Sequence, residues 1–179
     1  MLHATLNPLK LHRENNIAVT NIVNDPRSPE DNIDEEEWWL NGKRHRINKL
    51  PAYTNTIAGD KVSFWWQYGI TYRISGPTRV ELILNRDEKP IKKTEYWYLN
   101  GEIHRDNGPA EISKFYNKDG LLNYKEIWYR RGELHRENGP AVYYITKNGD
   151  LKLTTAEYYF HGKRVKNLEK LKLIVANNN

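Results

Sequence analysis

The apolar residues of this chain fall in short runs, rich in aromatic and β-branched side chains and bounded by turn-forming residues. Such runs predict strands. Ala110-Glu111-Ile112-Ser113-Lys114-Phe115 and Ala141-Val142-Tyr143-Tyr144-Ile145 each follow a Gly-Pro pair. Tyr96-Trp97-Tyr98-Leu99 and Ile127-Trp128-Tyr129 each precede a turn. The pattern predicts two strands per segment, the first ending on the aromatic pair and an Asn-Gly or equivalent turn, the second starting after Gly-Pro. Pro109 and Pro140 have no N–H to donate, so they mark strand starts. Asn117–Gly120, Asn148-Gly149 and Gly59-Asp60 carry the turn chemistry that joins one pair to the next. The expected fold is all-β: a long, twisted, single-layered antiparallel meander. Two stretches depart from it. Asn24 to Glu37 is acidic and contains proline, which predicts a surface loop. Asn167 to Ala176 reads as a short closing helix with Asn167 as its N-cap, within a C-terminal cap over 167–179.

The segments repeat. Residues 96–110 and 127–141 are offset by 31 residues (128 − 97) and identical at ten of fifteen positions. Worn copies surround them, and together they predict about six degenerate units of roughly 31 residues in a single domain over 1–179. The units span about 6–23, 36–57, 63–84, 95–116, 126–147 and 156–166. The first keeps only its back half and the last only its front half, as terminal caps of an array do. All six tryptophans fall at two adjacent positions of the repeat, and four of the six histidines at a third. Arg13, Arg46, Arg73, Arg105 and Arg136 follow the histidine position.

Composition narrows the classes. Charged residues make up 28% of the chain and apolar ones 38%, thin for a conventional core, but 6 Trp and 12 Tyr supply large areas with polar tips, suited to half-wet strands. With 0 Cys, disulfides, thiolate chemistry and the common structural zinc sites are excluded. No stretch reads as a signal peptide or a membrane span, so the chain is expected to be soluble and cytoplasmic. The formal charge of +5 favours anionic partners only mildly.

The sequence Trp-Tyr-x-Asn-Gly-x-x-His-Arg-x-x-Gly-Pro-Ala, at Trp97 to Ala110 and in variant form at Trp128 to Ala141, resembles the His-Arg-x-x-Gly-Pro-Ala repeats of bacteriophage and large-virus proteins. These are similar to MORN repeats, β-hairpin units with a Tyr/Trp-x-x-Gly core. The resemblance implies a scaffold or binding surface, and a phage- or virus-encoded inhibitor of a host or defence factor acting in the host cytoplasm. The first half departs most: Tyr72 stands for His, Leu50 for the Gly before Pro51, and Asn16-Ile17 for Gly-Pro.

The His-Arg pair invites a catalytic reading, but it recurs along the chain, whereas an active site is one asymmetric constellation. It is expected to tie a turn to backbone carbonyls or carboxylates, with Glu14, Asp106 and Glu137 as partners. Equivalent histidines two strands apart lie ~10 Å from each other, too far to share a zinc ion. No catalytic residue, metal site or cofactor is expected. The run Asp34-Glu35-Glu36-Glu37 is expected to be a solvated loop rather than a cation site. Adjacent strand residues face opposite sides. Trp38, Trp65, Trp97, Trp128 and Tyr158 therefore form one ladder, and Trp39, Trp66, Tyr98, Tyr129 and Tyr159 another. One is expected to pack the core or a cap and the other to be at least partly exposed.

The expected function is a non-enzymatic binding module that engages a protein partner through Trp39, Trp66, Tyr68, Tyr98 and Tyr129. Binding should concentrate on the worn first half, because positions that differ between copies are freer to be shaped by a partner. The alternative is a nucleic-acid or nucleotide binder in which aromatics stack bases and Arg13, Arg46, Arg73, Arg105 and Arg136 hold phosphate. The sequence leaves the oligomeric state open.

Overall fold

The computed structural model describes residues 19–23, 33–47, 49–57, 59–148 and 151–178. Along the chain, long and short strand pairs alternate. Long β1 (Val19–Val23) and β2 (Ile33–Glu37) precede the short pair β3 (Trp39–Leu40) and β4 (Lys43–Arg44). Long β5 (Tyr53–Ile57) and β6 (Asp60–Phe64) lead to short β7 (Trp66–Gln67) and β8 (Ile70–Thr71). Then come long β9 (Arg79–Leu84) and β10 (Pro90–Tyr96), short β11 (Tyr98–Leu99) and β12 (Glu102–Ile103). Long β13 (Glu111–Asn117) and β14 (Gly120–Ile127) precede short β15 (Tyr129–Arg130) and β16 (Glu133–Leu134). The chain closes with β17 (Val142–Asn148), β18 (Leu151–Phe160), β19 (Lys163–Val165) and helix α1 (Leu168–Ala176).

The long strands and β19 form one 11-stranded antiparallel sheet in chain order, so the expected meander is present. The expected two strands per segment fall short, because each short pair is a separate hairpin that branches from the sheet. The branch point is the first aromatic. Trp97 N–H donates to Ala110 O at 2.9 Å, while its own carbonyl accepts from His104 N–H at 2.9 Å. Trp38, Trp65 and Trp128 fork the chain in the same way. The long strand thus ends one residue before the aromatic pair, and the return strand starts two residues after proline. Ala52, Ala110 and Ala141 fill the crotch of their forks with no exposure, where a larger side chain would push the two ladders apart. Two-residue strands are too short to show alternation, which is why the sequence pattern merges them with their neighbours.

The hairpins form ladders of their own, so the single-layer expectation also needs correction. Gly69 N–H to Arg44 O and Arg46 N–H to Trp66 O join the first two hairpins, at 2.9 and 3.3 Å. Gly132 to Ile103 and Arg105 to Tyr129 join the third and fourth. Gly162 to Leu134 and Arg136 to Tyr159 join the fourth to the β18–β19 end. Among the described residues, no equivalent bond joins the second hairpin to the third.

The turn Asn117–Gly120 forms as expected, with Asn117 Oδ1 accepting from Asp119 N–H at 2.9 Å. Ile57 pairs with Asp60, and Asn148 with Leu151; Gly149 lies outside the described residues. Residues 33–37 are strand, not the expected loop, and pair on both sides with β1 and β5. The carboxylates are held there: Glu37 pairs with Arg44 and accepts from Trp39 Nε1 at 2.7 Å. The rest of the expected loop, 24–32, lies outside the described residues. Helix α1 starts as predicted. Asn167 Oδ1 accepts from Lys170 N–H at 3.0 Å, and fully buried Leu171 anchors the helix, which packs on β18 and β19.

Candidate functional site

The His-Arg-x-x-Gly-Pro stretch builds a stacked element. The guanidinium carbons of Arg46, Arg73, Arg105 and Arg136 lie 3.5, 4.0, 4.0 and 3.8 Å from the ring centres of Trp38, Trp65, Trp97 and Trp128. Each Nη1 donates to the carbonyl of the motif proline, at 3.0 to 3.2 Å. Beside Arg73, Arg105 and Arg136 a glycine closes the other side, since a Cβ on Gly76, Gly108 or Gly139 would sit 3.0 to 3.1 Å from the guanidinium; in the unit of Arg46 that position is Leu50. Trp, Arg and Gly thus stack, and each residue type is fixed by the next. Burial lowers the pKa of Arg46, Arg73 and Arg136, though a nearby glutamate opposes it in each case. Arg13 lies outside the described residues.

Asp106 and Glu137 were expected to partner the arginines they follow, and they do not; Glu14 lies outside the described residues. Asp106 Oδ1 sits 3.0 Å from His104 Nε2, and Glu137 pairs with Arg130. The carboxylate nearest Arg136 is Glu126, at 3.6 Å. Proline carbonyls claim the guanidinium edges, so the adjacent side chains turn elsewhere.

The histidines join neighbours. Nδ1 of His45, His104 and His135 accepts from the backbone N–H of Tyr68, Arg131 and His161 at 3.2, 2.9 and 3.1 Å. Each donor is the first turn residue of the next hairpin and has a left-handed backbone, with φ of 51, 52 and 48°. These three non-glycine residues hold a strained conformation under a fixed acceptor. Where Tyr72 replaces histidine, the next turn starts with Asn100, a type that tolerates φ of 52° unaided.

The two aromatic ladders do not divide into core and surface. Of the tryptophans in the first ladder only Trp38 is buried; Trp65, Trp97 and Trp128 are half-buried, as are Trp39, Trp66, Tyr98, Tyr129 and Tyr159 of the second. Forking gives each face a partial cover. Arg44 joins Trp39 and Trp66, 5.4 and 4.9 Å from their ring centres, and Phe64 stacks on Trp66 at 4.8 Å. Tyr98 tilts against Tyr96 at 6.3 Å, further along the same row. Burial and flanking glutamates push the Tyr96 hydroxyl up to about 12. Tyr68 does not join Trp39 and Trp66. Its ring packs on His45 at 4.3 Å and it is 60% exposed.

No protein-family model, curated protein or solved structure matches the chain.

Two equivalent grooves distinguish the halves. In the second half, a groove of about 500 Å³ lies between loops 105–107 and 135–138 over Trp128, and Asp106, Arg130 and Glu137 line it. In the first half the matching groove, about 290 Å³, lies between loops 46–50 and 72–74 over Trp65 and Trp66. Ile47, Leu50, Tyr72 and Ile74 line it together with Arg46, Lys49 and Arg73 and no carboxylate. Ile47 and Ile74 stand where Asp106 and Glu137 stand in the later copies. Both are exposed, Ile74 by 70%. Trp65 Nε1 fixes the groove wall by donating to Lys49 O at 2.8 Å. The aromatic positions alone do not reveal Ile47, Leu50 and Ile74, which stand out where one copy puts a large apolar residue in place of a charged residue or a glycine of the others.

Proposed function

We propose that the chain is a non-enzymatic module of about six MORN-like units that binds a protein partner through the groove of its first half. The observation that carries this is the contrast between equivalent grooves, polar in the second half and apolar in the first. The fold demands the residues that copies share, so exposed isoleucines confined to one copy of the site serve something other than folding. Trp66 and the loop residues Ile47, Leu50, Tyr72 and Ile74 are the proposed contacts, with Tyr68 at the rim. Trp39 acts through Arg44, while Tyr98 and Tyr129 extend the row. Lys49, in a lining without carboxylates, favours a partner with acidic groups around an apolar anchor. The viral origin and cytoplasmic setting rest on the motif resemblance.

The nucleic-acid reading is weaker. Arg46, Arg73, Arg105 and Arg136 each spend one face on tryptophan and one donor on a proline carbonyl, which leaves little for phosphate. Capture from extracts of the source cells tests the choice, with protein and nucleic acid measured together. The control is Ile47→Asp combined with Ile74→Asn. A protein retained at high salt and lost with the variant, at unchanged melting temperature, supports the proposal. Bound nucleic acid released at moderate salt, or undiminished capture by the variant, overturns it.

A further inference from the structure

We propose that the junction between the second and third hairpins accepts an extended segment of the partner protein as an added strand along β8. This rests on the binding reading above and specifies how the partner is held.

The junction is open where the other three are closed. At each closed junction a hairpin offers a carbonyl and an N–H to its neighbour: Arg44 O with Arg46 N–H, Ile103 O with Arg105 N–H, Leu134 O with Arg136 N–H. The corresponding groups of the second hairpin are Thr71 C=O and Arg73 N–H. Thr71 pairs with Trp66 and Gln67 with Ile70 across the hairpin. Alternation of the antiparallel ladder therefore turns the Thr71 backbone outward, towards the junction. Among the described residues neither group has a backbone partner there. The buried Thr71 Oγ1 likewise has no hydrogen-bond partner among the described residues. Two substitutions account for the opening. Tyr72 replaces the histidine that would accept the next turn's N–H. Thr78 replaces the fork alanine, and its Oγ1 takes Tyr98 N–H at 3.0 Å.

The side chains along this edge suit a strand partner. Ile70, Tyr72 and Ile74 occupy alternate positions and are 55, 47 and 70% exposed. Ile70 and Tyr72 share one side by alternation, and Tyr72 and Ile74, in the loop beyond β8, line the same groove, so the three form an apolar row. Leu99, on the third hairpin, is exposed as well. The later copies place Glu102, His104 and Asp106, or Glu133, His135 and Glu137, at these positions. Those charged edges are already paired with the next hairpin, whereas the edge left unpaired among the described residues carries no charge at these three positions, so nothing there guards it against an added strand. An extended segment with apolar residues at alternate positions would satisfy the backbone groups and cover the row.

The probe is a blocked synthetic hexapeptide alternating isoleucine or valine with serine, beside a twin N-methylated at alternate amides. Amide NMR of the full chain reads the binding. The expected result is saturable shifts at Ile70 to Ile74 and slowed exchange of the Arg73 amide. The N-methylated twin and the Ile70→Glu/Ile74→Asp variant should each weaken binding by roughly tenfold or more. The variant is compared at matched melting temperature. No saturable binding, or equal binding of the twin, overturns strand addition. Shifts confined to Ile47 and Leu50 overturn it while leaving the groove reading intact. A dimer by sedimentation that the variant abolishes identifies the occupant as a second copy and overturns the partner-strand assignment. Peptide binding without capture of any protein in the earlier experiment would instead sink the groove.

Discussion

His135 holds its neighbour through an unprotonated nitrogen, because Nδ1 accepts a backbone N–H. His45 does the same, and burial lowers the pKa of both below 6.5; the nearby His161 also lowers that of His135. For a base with a depressed folded pKa, the unfolded chain takes up the proton first as the medium becomes acidic. Stability should therefore be level above pH 6.5 and fall as pH drops below it, down to the folded-state values. Thermal melts between pH 8 and 5 check this, and His135→Asn, whose side-chain oxygen can accept the same N–H, should flatten part of the slope. A fall of equal size in that variant would detach the effect from His135. At the same scale, Gly139→Ala should lower stability by about 1–3 kcal/mol, because its methyl meets a guanidinium pinned by Trp128 and Pro140. Unchanged denaturant midpoints would show that Arg136 moves aside freely.

The fork makes the first aromatic a structural element in itself, joining two ladders at one residue. Trp128→Ala should cost on the order of 3 kcal/mol, the low end for a large aromatic because the ring is only half-buried. Asn167→Ala should cost about 1 kcal/mol through loss of the helix cap. Chemical denaturation measures both, and a negligible change in the tryptophan variant would contradict the fork's importance. Most of the long strands, their order, the closing helix and the turn at Asn117–Gly120 were legible because each has a local signature: aromatic runs, turn residues, a capping asparagine. The fork was not, since it depends on which strand claims Trp97 N–H and which claims its carbonyl, and neighbouring letters do not record that choice. The strand at Ile33–Glu37 was hidden by its own charge, which Arg44 and Trp39 offset from outside the segment. The apolar groove was half legible. Trp66 and the worn first half pointed to it, while Ile47 and Ile74 stand out only against Asp106 and Glu137.

Across the whole molecule, the hairpin layer is divided and the long-strand sheet is continuous. Among the described residues, the amide of Gly101 has no carbonyl acceptor of the kind that Gly69, Gly132 and Gly162 have. Its hydrogen exchange should be faster than theirs by about tenfold or more, as expected for an unprotected turn in an otherwise bonded layer. Equal protection at all four glycines would mean that the junction is closed in solution.

The forks also decide where the chain tolerates change of length. Successive first tryptophans are 27, 32 and 31 residues apart (65 − 38, 97 − 65, 128 − 97), yet the fork is built alike each time. Apart from one extra residue in the loop between Arg46 and Pro51, the differences collect at the far ends of the long strands, as in the longer turn over 85–89 between β9 and β10. Those tips are natural ports for foreign sequence. A short glycine-serine insert between Asp87 and Glu88 should lower stability by less than about 1 kcal/mol, and a peptide tag placed there would leave the groove and the open edge free to bind.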